Sequence, residues 1–166
     1  GGTVAGRADP RAPQFTGEIF VAADARTGSA SEPLTHLLKS TGRATVVGER
    51  TAGAMLLALP EPVTDGFIVV VPRADYYTTE GVRLEGRGVE PDLPCASDET
   101  LVVIAQGIRR TQPYAGNLLL GGVYMSLRRW EAAERGYRTA LTLAPTNADR
   151  AIVQRQLEAL SNGRRR

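Results

Sequence analysis

Apolar positions fall into two kinds of stretch, short unbroken runs and longer ones spaced by three and four, and their order predicts the architecture. Residues 18 to 23, Glu-Ile-Phe-Val-Ala-Ala, form a short apolar run with β-branched and aromatic members, as a buried strand requires. Asp24 ends it, and the small residues from Ala25 to Ser31 make a turn. Leu34, Leu37 and Leu38 then follow at the spacing of a helix that buries one face. Gly42 stops that helix, Ala44 to Gly48 reads as a second buried strand, and Thr51 to Ala54 as a loop of small residues. Residues 1 to 17, rich in turn formers and without periodicity, read as a loop or ragged edge.

From Met55 to Leu84 the pattern becomes β-rich, with Phe67 to Val71 the clearest strand and Asp65-Gly66 and Glu80-Gly81 the turns of hairpins. Gly86 to Asp92 reads as extended loop. Ser97, Asp98 and Glu99 are expected to cap a helix running to about Arg110, its acids matching the helix dipole and its Leu101, Val102, Ile104, Ala105 and Ile108 facing the sheet. At Gln112-Pro113 the composition changes, and everything beyond has helical spacing. The last helix is expected from Ala148 to Leu160, with Ile152, Val153, Leu157 and Leu160 apolar and Asn162-Gly163 as its stop. This predicts an α/β domain over residues 1–111 and an all-α appendage over 112–163.

Composition narrows the function classes. The chain has 166 residues, 42% of them hydrophobic, enough for a real core. Its 20 basic and 18 acidic residues are spread along the chain, so it lacks the electrostatic footprint of a nucleic-acid binder. No apolar run approaches the roughly twenty residues that span a bilayer, and no membrane insertion is expected. Cys95 has no second cysteine to pair with. The chain begins Gly1-Gly2 without a methionine, as expected for a piece of a longer protein whose targeting segment lies elsewhere. No cofactor is expected.

Ser29-Ala30-Ser31-Glu32 fits two descriptions. Ahead of an apolar helical run, S-x-x-E is a capping box in which Ser29 caps the helix and Glu32 reaches back. A serine at a strand-to-helix turn also has its hydroxyl exposed among backbone N–H groups aimed at one spot, which suits a tetrahedral oxyanion. Pro33 strains the first description, because its missing N–H forfeits the bond to the Ser29 carbonyl; the helix then starts a residue or two later.

Four blocks in order, Thr27 to Glu32, Gly42 to Glu49 with Thr51-Ala52-Gly53, Asp65-Gly66, and Glu85 to Asp92, resemble the C-terminal half of the tail-specific, or C-terminal processing, serine peptidases over about residues 17 to 110. The resemblance implies a crotonase-like or Clp-protease-like spiral α/β core. It makes Ser29 the nucleophile and the Ala30 N–H an oxyanion-hole donor. Where the processing proteases carry a lysine general base, 25 residues after the nucleophile, this chain has Ala54. Lys39, the only lysine, and His36, the only histidine, lie about 15 and 10 Å along the helix from Ser29, out of reach. The branch resembling the tricorn protease core and the interphotoreceptor retinoid-binding proteins takes its histidine from far upstream. It uses a glutamate before the G-V-x-P-D block, here Glu85, to orient that imidazole; without that block Glu85 reads as a solvated hairpin residue. Gly1-Gly2 matches the end of the family's oxyanion loop.

Leu120, Gly121, Tyr124, Ala133, Tyr137, Ala140 and Pro145 sit at the offsets of one tetratricopeptide repeat, which the appendage resembles. Small residues at Gly121 and Ala133 let two helices approach while Tyr124 and Tyr137 fill the space beside them. A lone repeat cannot bury its face by stacking, so it should dock on the preceding domain or on a partner. These readings lead to two functions. The first is a serine-type peptidase in the full-length protein, acting on a peptide or protein substrate, with the piece alone inactive and the repeat recruiting a protein partner. The second is a non-catalytic peptide- or protein-binding module that keeps the peptidase fold. The resemblance implies an extracytoplasmic setting, periplasmic or secreted.

Overall fold

The computed structural model describes residue 12 and residues 14–163. β1 (Phe20–Ala23) leads through a turn to α1 (Ser31–Ser40), and β2 (Thr45–Gly48) returns parallel to β1 with Phe20 opposite Thr45 and Ala23 opposite Gly48. A hairpin of β3 (Leu57–Thr64) and β4 (Phe67–Ala74) follows, then a two-residue strand, β5 (Leu93–Pro94), parallel to β2 on its far side. The parallel sheet is ordered β1-β2-β5, and the hairpin is a separate two-stranded sheet. Val46 and Val47 are both fully buried. Successive strand residues point to opposite faces, so both faces of β2 are covered, as a parallel sheet requires. The strand readings at 18–23 and 44–48 and the turn at Asp65-Gly66 match these elements; β5 is too short to show periodicity.

Two helix expectations need correction. In α1 it is Glu32 and Thr35 that are buried, while Leu34 and Leu37 are each 57% exposed. The rotation has a cause: the Glu32 carboxylate is drawn inward by the amides of the 51–54 loop, and Thr35 shares its face at i+3. Ser97, Asp98 and Glu99 lead into the next helix as expected, but none of their side chains caps it. This helix, α2 (Thr100–Thr111), has Glu99 at its N-cap with no side-chain cap bond and no acid in its first turn. Residues 97–99 are spent on a turn, with Glu99 N–H donating to Ala96 O and Ser97 N–H to Glu49 Oε1. Leu101 is exposed rather than packed.

The chain ends in three helices, α3 (Pro113–Ser126), α4 (Trp130–Leu143) and α5 (Asn147–Gly163). Val102 and Ala105 of α2 pack with Leu120 and Val123 of α3, joining the helical part to the α/β part. Ala133, Tyr137 and Ala140 of α4 form a second core with Val153 and Leu160 of α5. A Cβ at Gly121 would lie 2.4 Å from Tyr137 Cδ1, so the tyrosine ring lies directly on the glycine. No helix among the described residues is long and apolar enough to cross a membrane.

Candidate active site

Ser29 sits between β1 and α1 with φ +56°, in the left-handed region that non-glycine residues rarely occupy. Helix α1 takes Ala30 as its N-cap without a side-chain bond, and Ser31 Oγ donates to Gly28 O at 2.6 Å. Only half of the capping box forms. Glu32 reaches back to the Ser29 N–H, but the Ser29 hydroxyl has no hydrogen-bond partner among the described residues. The residue is exposed.

Glu32 is completely buried and organises the turn. Its Oε1 accepts from Thr51 Oγ1 and from Gly53 N–H at 2.7 Å, and its Oε2 from Ala54 N–H at 2.8 Å and Ser29 N–H at 3.1 Å. Ser29 N–H is also held by Ala54 O at 3.0 Å, and Ala52 N–H donates to Thr27 O at 2.8 Å. The loop after β2 is thereby fastened along the turn that carries the serine. Thr51 continues the network, its Oγ1 accepting from Val89 N–H at 2.7 Å. Gly88 permits this approach, since a Cβ there would lie 2.3 Å from Thr51 O. With Ser29 N–H doubly engaged, the Ala30 N–H beside it has no partner among the described residues.

Ser29 and Ala30 line a cleft of about 450 Å³ with Pro33, Met55, Leu56, Leu57, Ala58 and Tyr76. Glu85 is not part of that lining. Its Oε2 accepts the N–H groups of Met55 and Leu56, the latter at 3.0 Å, so it braces the wall of the cleft, and Oε1 has no hydrogen-bond partner among the described residues. His36 and Lys39 open into a different depression with Val82, Leu84 and Arg87. His36 Nε2 is buried without a hydrogen bond, 3.8 Å from Glu80 Oε2. Hydrogen bonds from Thr79 and Thr78 hold the Glu80 carboxyl down at about 2. Lys39 Nζ bonds Glu90 O at 2.7 Å and Asp92 Oδ1 at 3.0 Å. Burial opposes ionisation of Asp92, but the Val46 N–H and Lys39 outweigh it and keep the carboxyl below its ordinary range. Neither His36 nor Lys39 lines the serine cleft, as their helical distances required. No cluster of metal-ligating side chains occurs among the described residues. The Gly1-Gly2 match lies outside the described residues.

Sequence reasoning missed Glu32 as a hub, Thr51 and Tyr76. The T-A-G block flagged the Thr51 loop, but the partner of Thr51 is 19 residues away and its pairing has no periodic trace.

The carboxyl-terminal-processing peptidase 1 of Arabidopsis thaliana, named as chloroplastic, is 37% identical over 81 residues, which is 49% of this chain and 17% of that protein. The C-terminal processing peptidase of Tetradesmus obliquus, also named as chloroplastic, is 36% identical over 92 residues, 55% of this chain and 20% of that protein. The chain thus spans at most a fifth of the length of these relatives. The crystal structure of the tricorn protease is similar in fold, with a TM-score of 0.50 and 21% identity over 67% of this chain and 12% of that one. The resemblance read from the four sequence blocks is borne out. A sequence model described as Peptidase family S41 matches residues 3–95, more than half of the chain, and the chain belongs to that family.

Proposed function

We propose that this chain carries the nucleophile of a serine-type peptidase, with Ser29 attacking the scissile carbonyl. The observation that supports this most is the Ser29 hydroxyl, exposed at the mouth of an apolar cleft, excused from capping and held at positive φ. Strain of this kind costs roughly 1–3 kcal/mol and persists only where the surroundings enforce it; here the Glu32 network does so. In the reaction Ser29 Oγ bonds to the carbonyl carbon and the charge moves to the carbonyl oxygen, facing the Ala30 N–H, which has no partner among the described residues. The hydroxyl proton passes to a general base outside the described residues and then to the leaving amine, and water releases the acyl group. Glu85, with one oxygen on the Met55 and Leu56 amides and the other without a partner among the described residues, is suited to brace the cleft and orient an incoming imidazole.

The wider reading goes with it. Residues 1–111 form part of a crotonase-like or Clp-protease-like spiral core, of the branch resembling the tricorn core and the retinoid-binding proteins. Residues 112–163 form a tetratricopeptide-like hairpin with a capping helix, serving a protein partner. The substrate is a peptide or protein and the setting extracytoplasmic. A fluorophosphonate probe on the full-length protein tests the central claim: wild type is labelled and Ser29→Ala is not, and equal labelling would reject it. Ala54 at the lysine position favours a second reading, a non-catalytic module that binds peptides in the same cleft. It predicts no labelling of either protein, with peptide binding unchanged in Ser29→Ala.

A further inference from the structure

The segment 75–83 is fastened to itself and meets α1 at one polar point. Arg83 pairs with Asp75 and bridges Tyr77, Thr78 N–H donates to Val82 O at 2.9 Å, and Gly81 N–H donates to Thr78 O at 2.9 Å. Near one end of the segment Tyr76 lines the serine cleft, and at its tip Glu80 reaches His36 of α1. Among the described residues this is the only ion pair or hydrogen bond between α1 and that segment. The contact is unfinished. His36 Nε2 is buried without a hydrogen bond, although 27% of the side chain is exposed, so protons reach the ring while water leaves Nε2 unsatisfied. Glu80 Oε2 stands 3.8 Å away, about 1 Å beyond a charge-assisted N–H···O bond.

Two observations make this contact sensitive to pH. Hydrogen bonds from Thr79 and Thr78 hold the Glu80 carboxyl at about 2, so it is an anion at neutral and mildly acid pH and only the imidazole changes charge. The other charges around the ring are largely met, Lys39 by Asp92 and Glu90 by Arg50. Arg87 has no ion pair among the described residues and opposes a second cation, but it is exposed and screened by solvent. We propose that His36 and Glu80 form a latch worked by pH, in which a proton on the ring lets Nε2–H donate to Glu80 Oε2 and seats the segment 75–83, with Tyr76, against α1. The imidazolium is the form that the Glu80 carboxylate attracts. The seated position is therefore favoured on the acid side of the ring's titration and released on the alkaline side. Glu80 is 61% exposed, so the bias is modest, roughly two- to fivefold in population. The latch does not depend on Ser29 being a nucleophile.

Hydrogen exchange of the full-length protein, followed by mass on peptides spanning residues 75–83, tests it. At pH 5.5 the segment should exchange roughly two- to fivefold faster in Glu80→Gln than in wild type, and at pH 8 the two should exchange alike. Comparing the proteins at each pH cancels the intrinsic pH dependence of exchange. His36→Gln should match Glu80→Gln at pH 5.5. Equal exchange of wild type and Glu80→Gln at pH 5.5 overturns the proposal. So does a difference of the same size at both pH values, which would make Glu80 a static prop. A difference confined to pH 5.5 that a folded His36→Gln fails to reproduce assigns the proton to another group and overturns it as well.

Discussion

The fully buried carboxylate of Glu32 holds the exposed Ser29 by its backbone, Oε2 accepting the Ser29 N–H at 3.1 Å while the same oxygen binds Ala54 N–H at 2.8 Å. One side chain therefore fixes both the turn that bears the hydroxyl and the loop that walls its cleft. Every hydrogen bond that Glu32 makes is one it accepts.

Glu32→Gln should accordingly be costly although it is nearly isosteric. The new NH₂ would face N–H donors in place of one oxygen, leaving buried donors unpaired at about 1–3 kcal/mol. Urea unfolding should show the loss, and fluorophosphonate labelling of the full-length protein should fall with it. An unchanged urea midpoint would mean that the turn does not depend on the carboxylate.

Ser29→Gly and Ser29→Ala should separate strain from chemistry. Both remove the hydroxyl and both should abolish labelling. At φ +56° glycine is at ease and alanine is not, so the glycine variant should be the more stable of the two by about 1 kcal/mol. Thermal melts that rank alanine above glycine would contradict the left-handed backbone.

What the sequence disclosed, and what it withheld, follows from range. The β1–turn–α1–β2 order was legible because strand and helix periods are local. The family was legible because the Thr27–Glu32 block occurs with three others in fixed order. The inward face of α1 was not. Leu34 and Leu37 promised it, but the contacts that turn Glu32 inward come from residues 51, 53 and 54, and a window confined to the helix cannot see them. The capping of α2 by residues 97–99 failed for a similar reason, since Glu49 takes the Ser97 amide from another part of the chain. The close approach of α3 and α4 was readable in part, because Gly121 and Ala133 are small residues where two helices would meet.

Gly121→Ala tests that contact. Its Cβ would stand 2.4 Å from Tyr137 Cδ1, and Tyr137 is 1% exposed. Overpacking of this kind costs about 1–3 kcal/mol. The melting temperature should drop, whereas Gly122→Ala, 3.7 Å from the Tyr137 hydroxyl, should be near neutral. Equal effects would mean that α3 and α4 do not meet through Gly121.

Asp92 should give the fold an acid-sensitive joint between α1, β2 and the 86–92 loop. Its folded pKa lies below the ordinary value of 3.8, so its contribution is complete above that value and is lost as pH falls through the lower folded one. Asp92→Asn should lower stability at neutral pH by less than about 1.5 kcal/mol, since solvent screens the partly exposed Lys39 pair. It should also flatten the decline below about pH 4 relative to wild type. Parallel pH curves for the two proteins would refute the assignment.

Ala54 offers the most direct test of what the serine lacks. Its N–H and C=O are both committed to the turn, the one to Glu32 and the other to Ser29, while its side chain is exposed, so a longer side chain can be added without disturbing the network. Ala54→Lys would place an amine on the loop that borders Ser29. Because the site is open to water, nothing there removes the amine's charge at neutral pH, and a protonated lysine is no base. Labelling of Ser29 should therefore rise over the parent chain only as pH approaches lysine's ordinary value of about 10.4, by roughly tenfold or more at that end. Ser29→Ala in the same background should stay unlabelled throughout. A flat pH profile would show that the side chain of residue 54 does not reach the hydroxyl, and that a base for Ser29 has to approach from another side of the cleft.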